Sequence, residues 1–164
     1  MNPALLVIDV QTAFFNDPVT LGSLARASWY INTAIAIFRE KNLPVICIQH
    51  MNPEEGFGPE SEGFGVHKDI PILDTDTHIL KTYGNAFNKT NLDKTLRDMG
   101  IDTLIIVGFK AEGCVLSTYR GAKDMDYVPI LLRGSIISRN PEYEKFVEDI
   151  SDLITITALI KIMS

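Results

Sequence analysis

The chain has 164 residues, 46% apolar and 22% charged, with a formal net charge of −6 and two cysteines. That length buries one well-packed core, so a single domain over residues 1–164 is expected. The acidic balance, without any block of Lys and Arg, argues against nucleic acid as a partner, and no stretch reaches the roughly 20 apolar residues of a membrane helix.

Residues 4–8 (ALLVI) form the first short apolar run, and the chain enters it without a basic and then apolar leader. A cytoplasmic location and free thiols at Cys47 and Cys114 are therefore expected. Residues 20–41 carry Leu24, Ala27, Ile31, Ala34, Ile35 and Phe38, the spacing of a helix with one buried stripe. A second apolar run covers 44–49. Residues 51–70 then hold Gly, Pro and acids with almost no periodicity, which reads as either a substrate wall or an exposed variable loop. In the first case Phe57, Phe64 and His67 touch substrate or a neighbouring subunit.

Runs at 78–81, 103–108 and 128–132, and a weaker one at 153–156, complete six expected strands. Between them fall helical patterns at 91–99, closed by Gly100, at 113–123, and at 142–150 behind Pro141. Alternation of this kind is the sequence form of repeated βαβ units, and it predicts an α/β three-layer sandwich with a parallel sheet covered on both faces.

Asp9, Lys81 and Cys114 each stand just past an apolar run, at the carboxyl ends of expected parallel strands, where ligands bind in such sheets. Cys114, at an expected helix start, is placed for a lowered thiol pKa and for backbone donors to an oxyanion. Asp9 is placed to carry the thiol proton, and Lys81 to balance both charges. Singly, each has a plainer reading: a small core residue, a loop hydrogen bonder and a solvated lysine. Their coincidence on one rim favours a nucleophile, its base and a charge partner.

Three segments, LLVIDVQTAFF at 5–15, KTYGNAF at 81–87 and IIVGFKAEGCVLST at 105–118, resemble the isochorismatase-like cysteine hydrolases, among them nicotinamidases and N-carbamoylsarcosine amidase. The resemblance implies a Rossmann-like fold with strand order 3-2-1-4-5-6. It also implies a thioester mechanism on a small amide or ureido substrate, with Cys114 as nucleophile, Asp9 as base and acid, and Lys81 as electrostatic partner. A cis bond between Phe109 and Lys110 is implied, with the N–H groups of Lys110 and Cys114 as oxyanion donors and Gln11, Phe14, His50, Phe87 and Phe109 around the substrate. The Asp of the nicotinamidase metal motif is missing from Gln49-His50, and His67 and His78 do not rebuild the cluster, so no metal and no other cofactor is expected. Family members pair commonly, so a homo-oligomer is expected too. Lys110, Ala111 and Gly134 depart from the family's usual residues and keep open a binding or assembly protein without turnover; the alternative among enzymes is a vinyl ether hydrolase working through Asp and Lys, against which the presence of Cys114 argues.

Overall fold

A computed structural model describes all residues, 1–164. Six strands, β1 (Pro3–Ile8), β2 (Val45–His50), β3 (Thr77–Lys81), β4 (Thr103–Phe109), β5 (Val128–Ile137) and β6 (Leu153–Ile154), form one parallel sheet in the order β3-β2-β1-β4-β5-β6. Five helices cover it: α1 (Pro18–Glu40), α2 (Leu92–Asp98), α3 (Leu116–Asp124), α4 (Pro141–Asp149) and α5 (Ile156–Ile162). None is long and apolar enough to cross a membrane.

Side chains alternate across each strand, so one sequence run supplies two cores. Ala4, Leu6, Ile8, Ile46, Ile48, Leu104 and Ile106 pack with Leu92 and Leu96 of α2 and Tyr119 and Ala122 of α3. Leu5, Val7, Val45, Ile105 and Val107 face the other way, onto Leu24, Ile31, Ile35 and Phe38 of α1 and Leu159 of α5. The α1 stripe is the one read from its spacing; its start is fixed by Asp17, whose Oδ1 accepts from Val19 N and Thr20 N, and by Pro18 in the first turn.

Two expectations change. Ile156 was expected at the end of a strand, but it opens α5, capped by Thr155 Oγ1 accepting from Ala158 N; a short apolar run has no period that separates strand from helix. The fifth strand runs past Leu132 to Ile137, through a register shift in which Ile106 pairs with Leu131 but Gly108 with Ile136. Gly134 lies in this bulge with φ +80°, where its N–H donates to Glu148 Oε1 at 2.7 Å and a Cβ would meet the Tyr30 ring at 2.8 Å.

At the switch point, β1 and β4 are neighbours and the chain leaves them in opposite directions. Gly108, φ +120°, lets the two strands come together at this end, since a Cβ there would sit 2.2 Å from Ile8 O and 2.8 Å from Ile8 N. Backbone at that range does not yield cheaply. Gly108→Ala is expected to cost about 3 kcal/mol or more, or to prevent folding, as read by thermal unfolding.

Candidate active site

Four strand ends build the rim. Asp9 follows β1, His50 ends β2, Lys81 ends β3 and Phe109 ends β4. Asp9 adopts a left-handed φ of 51°, a conformation that L residues rarely hold without support. Its N–H donates to Ile48 O at 2.8 Å, which tethers the turn to β2 and sends the carboxylate into the crevice.

After β4 the Phe109–Lys110 peptide is cis. A wide π-helical turn, Ala111–Val115, follows and leads into α3, with Lys110 O accepting from Gly113 N at 3.0 Å and Val115 N at 3.1 Å. Cys114 therefore sits in a π turn, where a plain helix start was expected; turns of this kind occur often at functional sites. The segment after Lys81 fastens that helix to the rim: Ala86 N donates to Thr118 Oγ1 at 3.0 Å, and Gly121 leaves room for the Asn85 amide.

Lys81 is the centre of the arrangement. Its Nζ lies 2.9 Å from Asp9 Oδ2, 3.2 Å from Cys114 Sγ and 3.1 Å from His50 Nδ1. Asp9 and Lys81 are both essentially removed from solvent, so their attraction is little screened. Ligand-type atoms of Asp9, His50 and Cys114 come within 4.8 Å of one another, a cluster of metal-site size. The ammonium occupies its middle, however, so these residues do not fit a resident cation, and the positive charge of the site is that of Lys81.

The electrostatics correct one expectation. The Cys114 thiol is pushed up to about 11, first by burial and then by the negative charge of Asp9, against which Lys81 pulls down. At neutral pH the group is a thiol, and it needs a base at the moment of attack. Burial also raises the Asp9 carboxyl above its ordinary value, with Lys81 opposing. Asp9 Oδ1 is buried without a hydrogen-bond partner, which leaves a free acceptor beside the thiol. Cys47, raised to about 12 by burial, is an inert core residue.

Asp9, Phe14, His50, Phe109, Lys110, Cys114 and Arg139 line a cleft of about 210 Å³. Phe14 and Phe109 stack at 5.6 Å as its apolar wall. Gln11 is fully buried and forms no part of the lining; its Oε1 accepts from His50 N at 2.7 Å and its Nε2 donates to His50 O at 3.0 Å, so it sets the position of His50. Phe87 is a correction: it stacks on Tyr127 at 5.6 Å within the core behind α3 and does not reach the cleft.

Residues 51–70 are packed as a wall. His67 N donates to Val10 O, Thr12 N to Gly65 O and Ala13 N to Gly63 O, each at 2.8–2.9 Å. Phe64 and His67 are buried beneath this wall, His67 edge-on to Phe15 at 6.0 Å, so neither contacts the cleft. Phe57 touches Phe14 and lines an adjoining hollow.

Arg139 is the lining residue that sequence reading missed. It stands two residues past β5, the same kind of position as the others, and the break in the apolar run at Arg133–Ser135 hides that strand end in the sequence. Lys110, the unusual residue of the nucleophile turn, is half exposed and 3.3 Å from Glu112 Oε1.

The isochorismatase domain model matches residues 3–152. Over 132 residues the chain is 32% identical to the uncharacterized isochorismatase family protein YddQ of Bacillus subtilis, spanning 78% of this chain and 73% of that one. Its fold is similar to that of an isochorismatase-like hydrolase from Alkaliphilus metalliredigens, with a TM-score of 0.90 at 20% identity and full coverage of both chains. It is also similar to the N-carbamoylsarcosine amidase of Thermoplasma acidophilum, with a TM-score of 0.78 at 26% identity over 94% of this chain and 95% of the other. With the family model covering nearly its whole length and the strand order and rim in place, the chain belongs to the isochorismatase family of hydrolases.

Proposed function

We propose that this protein is a cysteine hydrolase that cleaves a small amide or ureido C–N bond through a thioester on Cys114. The observation that carries this reading is the Lys81 ammonium bridging Asp9 and Cys114 at 2.9 and 3.2 Å on the floor of a cleft. The similarity to an N-carbamoylsarcosine amidase supports the bond type.

In this mechanism Sγ attacks the substrate carbonyl carbon while its proton passes to Asp9, and the carbonyl π electrons move onto oxygen. The N–H groups of Lys110 and Cys114 receive that oxyanion. As it collapses, the C–N bond breaks and Asp9 returns the proton to the leaving nitrogen. Water then attacks the thioester, giving a proton to Asp9, and the released thiolate takes it back. Lys81 favours the ionised form of Asp9 between these transfers, against the burial that raises its pKa.

Arg139 and Lys110 place two cationic side chains at the mouth of the cleft, on the side of β4 and β5. The substrate accordingly carries a carboxylate or similar anion on the part that lies toward β4 and β5. Arg139→Gln is expected to raise KM about tenfold for such a substrate with kcat nearly unchanged, the pattern of a lost ground-state contact, as read by steady-state kinetics.

Ammonia or amine release from a panel of primary amides and N-carbamoyl amino acids tests the reading. Turnover lost in Cys114→Ala supports it. Hydrolysis that survives Cys114→Ala points to Asp9 and Lys81 acting without a nucleophile, as on a vinyl ether, and saturable binding without product points to a binding protein.

A further inference from the structure

His50 takes no part in the transfers between Cys114 and Asp9, yet its backbone and its ring are both held in place. Gln11 clamps its backbone N–H and C=O, and β3 pairs alongside it, His50 opposite Lys81. Lys81 Nζ then approaches its Nδ1 at 3.1 Å. An ammonium can only donate, so Nδ1 accepts and the ring hydrogen resides on Nε2. Burial first, and then the Lys81 charge, lower the pKa of the ring against the opposing pull of Asp9, and so favour its neutral form.

The position of the ring gives this donor a use. His50 lines the catalytic cleft, a hollow of about 380 Å³ shared with Phe14, Asn52 and Phe57, and another of about 510 Å³ shared with Thr82 and Tyr83. It is the residue common to all three. Strand order fixes its side: β2 and β3 flank β1 opposite β4 and β5, so His50 and Arg139 stand on opposite sides of the Asp9–Cys114 crevice.

We propose that His50 is a specificity-determining residue whose Nε2–H donates to an oxygen acceptor on the leaving fragment of the substrate, the part that lies toward β2 and β3. This rests on the amide-cleaving reading and takes the acyl side of the substrate to lie toward Arg139, across the crevice from His50. It predicts substrates whose amine portion carries a hydroxyl, carbonyl or carboxylate oxygen, with the hollows beyond His50 receiving the rest.

The test uses two amides of equal shape, N-(2-hydroxyethyl)succinamic acid and N-propylsuccinamic acid, whose acyl side carries the carboxylate expected at Arg139, and measures how well each protects Cys114 from iodoacetamide, so that binding is read without turnover. In the unaltered protein the hydroxyethyl amide is expected to bind roughly three- to tenfold more tightly, the worth of one neutral hydrogen bond. His50→Gln, which retains a donor near Nε2, should keep that preference. His50→Asn, which retains an acceptor for Lys81 near Nδ1 and loses the outward donor, should abolish it. A preference surviving in His50→Asn, no preference in the unaltered protein, or no protection by either amide would overturn the proposal. Nitrogen NMR of the ring gives an independent check: hydrogen on Nε2 at neutral pH is expected, and hydrogen on Nδ1 or on both nitrogens contradicts it. Neither readout requires a thioester, so a failure of the mechanism on Cys114 would be seen separately, as missing turnover.

Discussion

Cys114→Ala is expected to lower hydrolysis by at least about 10⁴-fold while leaving the fold intact. Removing a nucleophile removes the whole covalent route, and the remaining binding and oxyanion contacts cannot replace the bond it forms. The residue packs only partly against the core, so a lost sulfur costs little stability. Near-native thermal unfolding together with lost turnover separates chemistry from structure. Cys47→Ala is the control, because that thiol lies in the core away from the cleft and its removal should leave turnover unchanged.

Lys81→Met is expected to damage both activity and stability. Asp9 would lose its ion-pair partner while remaining buried, and breaking such a pair typically costs about 3–5 kcal/mol when the other charge is left behind. The Asp9 carboxyl, already raised by burial, would rise further because Lys81 is the largest influence lowering it. The sign of the pH effect follows. The folded state holds the Asp9 proton more tightly than the unfolded state, so the contribution is favourable below the unfolded value of 3.8 and is lost as pH rises through the folded value. Urea unfolding should show Lys81→Met losing more stability than the unaltered protein as pH moves from acid to neutral. The rising limb of kcat/KM, which needs ionised Asp9, should lie above the ordinary carboxylate range in the unaltered protein and move higher still in the variant, with the rate at neutral pH down by about 10³-fold.

Much of this site was legible because a parallel sheet converts sequence position into spatial position. Once ALLVI at 4–8 and TLIIVG at 103–108 read as buried strands, Asp9 and Cys114 had to reach one rim, and the family motifs supplied the order that makes β1 and β4 neighbours. Side-chain direction was less legible. Phe87 belongs to a segment of the right family, but whether an aromatic after a strand faces the cleft or the core depends on turn geometry, and here Tyr127 provides its partner. Arg133, Gly134 and Ser135 break the apolar run of β5, and only the bulge at Gly134 lets the strand resume toward Arg139. The thiol was misjudged for another reason: a helix-terminus argument counts a local dipole, whereas the thiol's pKa is decided by solvent lost to tertiary packing.

The same contrast explains residues 51–70. Their lack of period correctly marked irregular backbone, but the hydrogen bonds that lay it against the turn after β1 join positions 50 to 57 residues apart and leave no local trace. Gly63, φ +75°, is the contact point; a Cβ there would lie 2.9 Å from Ala13 N.

The central claim is that Cys114 becomes acylated during turnover. Acid quenching during hydrolysis of an amide from the panel, followed by peptide mass spectrometry, should find the acyl group on the Cys114 peptide, removable by hydroxylamine and absent from Cys114→Ala. Continued hydrolysis with no acyl mass on Cys114, and with Cys114→Ala as active as the unaltered protein, would contradict it.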